Sequence, residues 1–192
     1  GGASILAKTG KYRLSNNKDI TQTILKQVQD LENEGYQFES ADGSFELLVK
    51  KALGEYKTFF ELEEFRVIIE KNRDEFPLSE AIIKIKVGNN IEFTVGEGDG
   101  PVHALDSALR KALKNYYSCS LADLQLVDYK VRVINPRGGT AAKVRVIIES
   151  KDKDGTWGTV GVSENLIEAS WQALVDSVEY KLLKDLDEKR DA

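Results

Sequence analysis

Apolar positions change their spacing near residue 60. Before it they recur at helical intervals: Ile20, Ile24, Val28 and Leu31 follow Asp19, a suitable N-cap, and Gly35 stops the run. Phe45, Leu48 and Ala52 share one face of a second helix, expected over about 41–53 and ended by Gly54. Residues 55–64 are charged and aromatic without a period, so a boundary falls there. From Phe65 the period becomes two, which predicts strands at 65–70 and 81–87. Asn89-Asn90 reads as a hairpin turn without the usual glycine, ahead of a strand at 91–95. The stretch Gly96-Glu97-Gly98-Asp99-Gly100-Pro101 then opens an amphipathic helix with Val102, Leu105, Leu109 and Leu113 on its apolar face.

The same order returns. Strands are expected at 128–134, 142–149 and 157–160, with Asp152-Lys153-Asp154-Gly155 as the turn between the last two and Asp154-Gly155 as its strong hairpin signal. Arg137-Gly138-Gly139-Thr140 reads as a flexible loop between the first two. A helix follows from about 165 to 183, carrying Ile167, Trp171, Leu174, Val178 and Leu182. Thr94-Val95-Gly96 matches Thr159-Val160-Gly161 at an offset of 65, and Val102, Ala104, Ala108 and Leu109 match Ile167, Ala169, Ala173 and Leu174 at the same offset. Arg66-Val67-Ile68 matches Arg132-Val133-Ile134 at an offset of 66. This is a duplicated βββα unit, expected to pack as a pair with its helices buried. The fold class is α+β: a helical linker subdomain over 1–58, the duplicated unit over 59–186 and a charged tail over 187–192.

Composition narrows the function. The chain has 192 residues, 27 Lys plus Arg, 32 Asp plus Glu and a net charge of −5, with no concentrated basic run. Nucleic acid is not an expected partner. No apolar run approaches the roughly 18 residues of a membrane span, and no signal peptide is visible. One cysteine, Cys119, fits a reducing compartment, so a cytoplasmic location is expected. A chain that lacks Met and opens Gly1-Gly2 is expected to be part of a longer protein. A single His103 and a single Cys119 cannot build a His- or Cys-rich zinc site. A nucleophile–histidine pair would have to use them, against the plainer reading of a helix residue and a free thiol.

The two strand-to-helix turns hold the candidate chemistry. Glycines at 96, 98 and 100 permit close backbone approach or positive φ, and Pro101 suits a first helical turn. The spacing is neither Gly-x-Gly-x-x-Gly nor a P-loop, so a nucleotide cradle is poorly supported. A helix N-terminus there would favour a carboxylate. The equivalent turn is Gly161-Val162-Ser163-Glu164-Asn165, and both turns contain an acid, Asp99 or Glu164, that could meet an ammonium group. The plain alternative is two tight connections. Carboxylates around Ala41-Asp42-Gly43-Ser44-Phe45-Glu46 read as a solvated helix face.

At these residues the chain resembles the citramalate synthase and 2-isopropylmalate synthase family. Leu31-Glu32-Asn33-Glu34-Gly35-Tyr36-Gln37-Phe38-Glu39, continuing to Phe45-Glu46-Leu47-Leu48, looks like that family's linker region. Gly96-x-Gly-x-Gly100-Pro101-Val102, Asp128-Tyr129-Lys130-Val131-Arg132 and Thr159-Val160-Gly161-Val162-Ser163-x-Asn165 look like its C-terminal regulatory domain. The wording around 31–48 and 157–182 is closer to the citramalate branch. The resemblance implies a dimeric domain of two βββα units that binds an end-product amino acid, isoleucine or leucine, and inhibits a catalytic barrel elsewhere in the parent. That barrel condenses acetyl-CoA with a 2-oxo acid (pyruvate in the citramalate branch) and needs a divalent metal; no cofactor is expected in this chain. By motif the effector would meet Gly98, Asp99, Gly100, Pro101, Val102, Leu126, Tyr129, Val133, Ser163 and Asn165. Helix N-termini suit its carboxylate, Asp99 or a backbone carbonyl its ammonium, and Leu126, Val133 and Val102 its branched side chain. Two other readings stay open: an enzyme using the glycine turn as a cofactor site, and a dimerisation module without ligand.

Overall fold

The computed structural model describes residues 18–135 and 141–191, so Arg137-Gly138-Gly139-Thr140 lies outside the described residues. In chain order the elements are α1 (Lys18–Glu34), α2 (Asp42–Ala52), β1 (Glu61–Glu70), β2 (Leu78–Val87), β3 (Asn90–Gly98), α3 (Pro101–Leu121), β4 (Gln125–Ile134), β5 (Lys143–Lys151), β6 (Thr156–Ser163) and α4 (Leu166–Asp191). The strands form two three-stranded antiparallel sheets, β1-β2-β3 and β4-β5-β6. The α+β class and the duplicated βββα order therefore hold. Among the described residues no helix is long and apolar enough to cross a membrane.

The duplication extends to a fault in the ladder. Leu62 pairs with Ile85 and Glu64 with Lys84, which leaves Glu63 as a bulge. Leu126 pairs with Ser150 and Asp128 with Glu149, which leaves Val127 as a bulge 64 residues later. Phe65 faces Ile83 and Tyr129 faces Ile148 in the corresponding rungs. So β1 maps onto β4 at an offset of 64, not the 66 read from the Arg-Val-Ile match, while the later strands and helices keep 65. A slip of two residues preserves side-chain direction, which is why the pattern alone did not reveal it.

The first hairpin turn differs from the sequence reading by one residue, and the second falls where it was expected. Val87 pairs with Asn90, so the first hairpin turns through Gly88-Asn89. Gly88 has φ +60, the left-handed conformation such a turn requires. Lys151 pairs with Thr156, so the second hairpin turns through Asp152-Lys153-Asp154-Gly155, the four residues expected. The Asp152 carboxylate holds that loop by accepting the N–H of Asp154 (2.9 Å) and of Gly155 (3.1 Å).

α3 lies on β2 and β3, α4 on β5 and β6, and the helices pack on each other. One core results, with Ala81, Ile83, Ile85, Leu105, Leu109, Leu113, Val146, Ile148, Leu174 and Val178 buried together. A second core lies on the far side of the β4-β5-β6 sheet, where Ile24, Val28, Phe38, Phe45 and Val49 cover Val160 and Val162. α1 and α2 are thus docked on one sheet only. The corresponding face of the first sheet leaves Phe93, Val95, Ile91 and Ile68 exposed. The charged end expected as a tail continues α4 through Asp191, and Lys50 bonds Asp187 at 2.7 Å.

Candidate functional site

The first strand-to-helix corner is tighter than its glycine content suggests. β3 runs through Gly98, so only Asp99 and Gly100 turn the chain before Pro101 starts α3. None of Gly96, Gly98 and Gly100 has positive φ. A Cβ at Gly96 would lie 2.3 Å from the Ala108 nitrogen, and one at Gly98 would lie 2.7 Å from the Ala104 nitrogen. These glycines let helix backbone press on strand backbone, and Gly161 does the same against the Ala169 carbonyl at 2.0 Å. Gly100 has open space around it, is extended (φ −148, ψ 174), and supplies no side-chain cap to α3. Val102 is buried, whereas Asp99 and His103 are exposed.

The second corner is capped. Ser163 Oγ accepts the Asn165 N–H at 3.1 Å, and Asn165 Oδ1 accepts those of Ile167 (2.8 Å) and Glu168 (3.2 Å). Ser163 and Asn165 thus satisfy the orphan donors of the α4 start.

β4 supplies the other expected residues. Its bulge lets Leu126 and Tyr129, three apart, lie on one face with Val131 and Val133, which strict alternation forbids. The Tyr129 hydroxyl lies 3.0 Å from Ser170 Oγ, which donates to the Leu166 carbonyl at 2.7 Å. Burial pushes the Tyr129 phenol up, and the Ser170 hydrogen bond opposes it. Val133, Val144 and Ser163 share one row across the sheet. The Tyr129 hydroxyl thus reaches the first turns of α4, which Ser163 and Asn165 cap, while Val133 lies two strands from Ser163 in its row and Leu126 sits beside Ser150 farther along. Among the described residues no hydrogen bond or ring contact joins Gly98, Asp99, Gly100, Pro101 or Val102 to β4.

The β4 face is open. α4 covers β5 and β6, so Tyr129, Val131 and Val133 remain 38%, 45% and 69% exposed. The matching edge β1 leaves Ile69 58% exposed, and its Phe65 ring lies tilted 5.8 Å from that of Trp171, next to the Ser170 that Tyr129 meets.

Sequence reasoning missed a second neighbourhood, a cleft of about 470 Å³ lined by Tyr36, Phe38, Ser44, Leu47, Lys51 and Asp176 among others. Ser44 Oγ donates to Asp176 at 2.7 Å and accepts the Val160 N–H at 3.0 Å. Tyr56 donates to Glu179 at 2.5 Å. Burial pushes the Asp176 carboxyl up to about 6 and the Glu179 carboxyl up to about 7. Asp42, expected on a solvated face, accepts the Gly158 N–H at 2.8 Å and pins α2 to β6. Ser44 and Asp176 are 132 residues apart, too far for a local pattern to pair them. Among the described residues no group of three or more His, Cys, Asp or Glu is placed to hold a metal.

Residues 39–182 match the family described as the LeuA allosteric (dimerisation) domain. The (R)-citramalate synthase of Geobacter sulfurreducens is 55% identical over 187 residues, covering 96% of this chain and 35% of that protein. The (R)-citramalate synthases of Aquifex aeolicus and of Synechocystis are 53% and 42% identical, covering 86% and 95% of this chain and 31% and 34% of theirs. The chain thus spans about a third of the length of the curated relatives it matches.

Proposed function

Since the chain belongs to the family of LeuA allosteric (dimerisation) domains, we propose that it is the regulatory portion of a citramalate synthase and binds isoleucine between two copies of itself. The observation that carries this reading is the open β4 face. Val131 and Val133 are apolar, belong to the same sheet face as the fully buried Val146 and Ile148, and still face water. A second copy applied to β1 and β4 would remove that surface from water, at about 25 cal/mol per Å² of apolar area. The same surface carries Tyr129, whose hydroxyl and ring offer a polar anchor and an apolar wall to a branched amino acid. The uncapped N–H groups of the α3 start supply a position for the ligand carboxylate. Condensation of acetyl-CoA with pyruvate, and the divalent metal it needs, belong to the barrel of the parent chain. The effector changes that barrel's activity through a difference in its affinity for two arrangements of the dimer.

Calorimetry with isoleucine, leucine and valine on the chain and on Tyr129→Ala tests the reading. Isoleucine is expected to bind most tightly, and the substitution to weaken it by about 1–3 kcal/mol with the circular dichroism unchanged. Unchanged affinity in a folded variant removes Tyr129 from the site, and tighter leucine binding moves the chain to the isopropylmalate branch.

A further inference from the structure

Arg132 on β4 and Arg145 on β5 are direct cross-strand partners, and both point away from the α4 side of the sheet. Like charges placed opposite each other on one face destabilise a sheet. Among the described residues no carboxylate lies within ion-pair distance of either guanidinium. The stretches outside those residues contain no Asp or Glu, so no side-chain carboxylate there can supply the missing charge.

The pair sits in a built recess. A cleft of about 480 Å³ is lined by Gln37, Ser40, Lys130, Arg132 and Arg145, with Val131 and Ile147 completing it. Its wall is the connection between α1 and α2, and its floor is the outer face of β4 and β5. Arg145 is only 9% exposed. Its Nε donates to the Gly35 carbonyl at 2.7 Å, which fixes the guanidinium. Among the described residues no other hydrogen bond reaches its remaining N–H donors. Burial, together with the neighbouring Arg132, pushes the Arg145 pKa down. Lys130 adds a third cation, held loosely by Asp128 at 3.6 Å. Asp128 and Glu149 are cross-strand partners farther along this face, and Asp128 reaches Lys130 and neither guanidinium.

A buried, immobilised arginine facing a second unpaired arginine is costly without an anion and well organised with one. The planar guanidinium suits an oxyanion that can take two parallel N–H bonds, and Ser40 and Gln37 offer neutral donors beside it. The volume fits a small molecule. We infer that this cleft between the linker helices and the β4-β5-β6 sheet is a binding site for a small multivalent oxyanion, a phosphate-bearing or polycarboxylate metabolite, separate from the β4 face on the opposite side.

Calorimetry and thermal unfolding at low ionic strength, with pyrophosphate and citrate as probes, test the site in the intact chain and in Arg132→Gln. Arg132 is exposed and makes no hydrogen bond or ion pair among the described residues, so this variant should fold. At least one probe is expected to bind, with affinity that falls as salt rises. Arg132→Gln is expected to weaken it by about tenfold or more, the loss of one charge-assisted bidentate contact. The probe that binds tells phosphate from carboxylate chemistry. Lys26→Gln, on the exposed side of α1, is expected to leave binding unchanged. Failure of both probes to bind at about 10 mM, far weaker than a paired-guanidinium site allows, overturns the inference. Equal binding by the wild type and a folded Arg132→Gln overturns it too.

Discussion

The Thr159 hydroxyl donates to the Ala173 carbonyl across 2.7 Å, from the middle of β6 to the first third of α4. Thr94 repeats the contact with Ala108 at the same 2.7 Å, 65 residues earlier. Each bond lies over a glycine two residues on, Gly161 or Gly96, that brings helix and strand backbones together. A threonine, a glycine and two alanines thus define how each helix sits on its sheet, and the repeat preserves that joint.

Adding a methyl group at the joint should cost far more than adding one at the corner. Gly96→Ala and Gly161→Ala drive a Cβ against backbone atoms, and each is expected to lower stability by more than about 2 kcal/mol. Gly100→Ala meets nothing within 4 Å and sits at extended φ, so its expected change is under about 0.5 kcal/mol. Urea unfolding of the three variants checks the order.

Stability should fall as pH rises from mildly acidic to neutral. Burial raises the Asp176 and Glu179 carboxyls to about 6 and about 7, and unfolding returns them to ordinary values near 4. The folded chain therefore holds more protons through that window, and its stability is lost as pH passes the raised values. The expected decline between pH 5 and 8 is on the order of 4 kcal/mol, the larger share from Glu179, and Asp176→Asn should lessen it. Asp152 acts oppositely and at lower pH. Burial would raise it, but hydrogen bonds from Lys181 and Lys184 outweigh burial and hold it well below the usual range, so its contribution is lost below about pH 4. Unfolding midpoints across pH 3–9 separate the two windows.

Removing Lys181 should be expensive. Its ammonium, 2% exposed, binds Asp152 at 2.7 Å, Asp185 at 3.1 Å and Asp123 at 3.3 Å, tying α4 to the β5–β6 loop and the end of α3. Lys181→Met leaves the buried Asp152 carboxylate with Lys184 as its one remaining cation among the described residues, and a loss of about 3 kcal/mol is expected. The double variant Lys181→Met with Asp152→Asn should recover part of it, as denaturant midpoints would register.

Val133→Arg separates association from folding. The residue is 69% exposed, so the folded chain should change by no more than about 0.5 kcal/mol. On the proposed dimer surface, it should shift sedimentation from dimer toward monomer at micromolar concentration. A dimer that persists unchanged removes β4 from the interface.

The sequence by itself determined the order of elements and the duplication, because both rest on local periodicity and on short matches such as Thr94-Val95-Gly96 with Thr159-Val160-Gly161. It also marked Asn165 as a helix start and the glycines at 96, 98 and 100 as places of close approach or positive φ, and the structure chose close approach for Gly96 and Gly98. Tertiary structure decided the rest. The bulges at Glu63 and Val127 decide which side chains share the open face, and no residue type announces a bulge. The docking of α1 and α2 on the second sheet turned Ser44 and Asp176 into hydrogen-bonded partners and gave Asp42, which stays exposed, the Gly158 N–H to hold. It also enclosed Arg145 beside Arg132. Burial sets the charge and hydrogen-bonding needs of a group, and burial comes from segments more than a hundred residues apart meeting across a sheet, which no window along the chain contains.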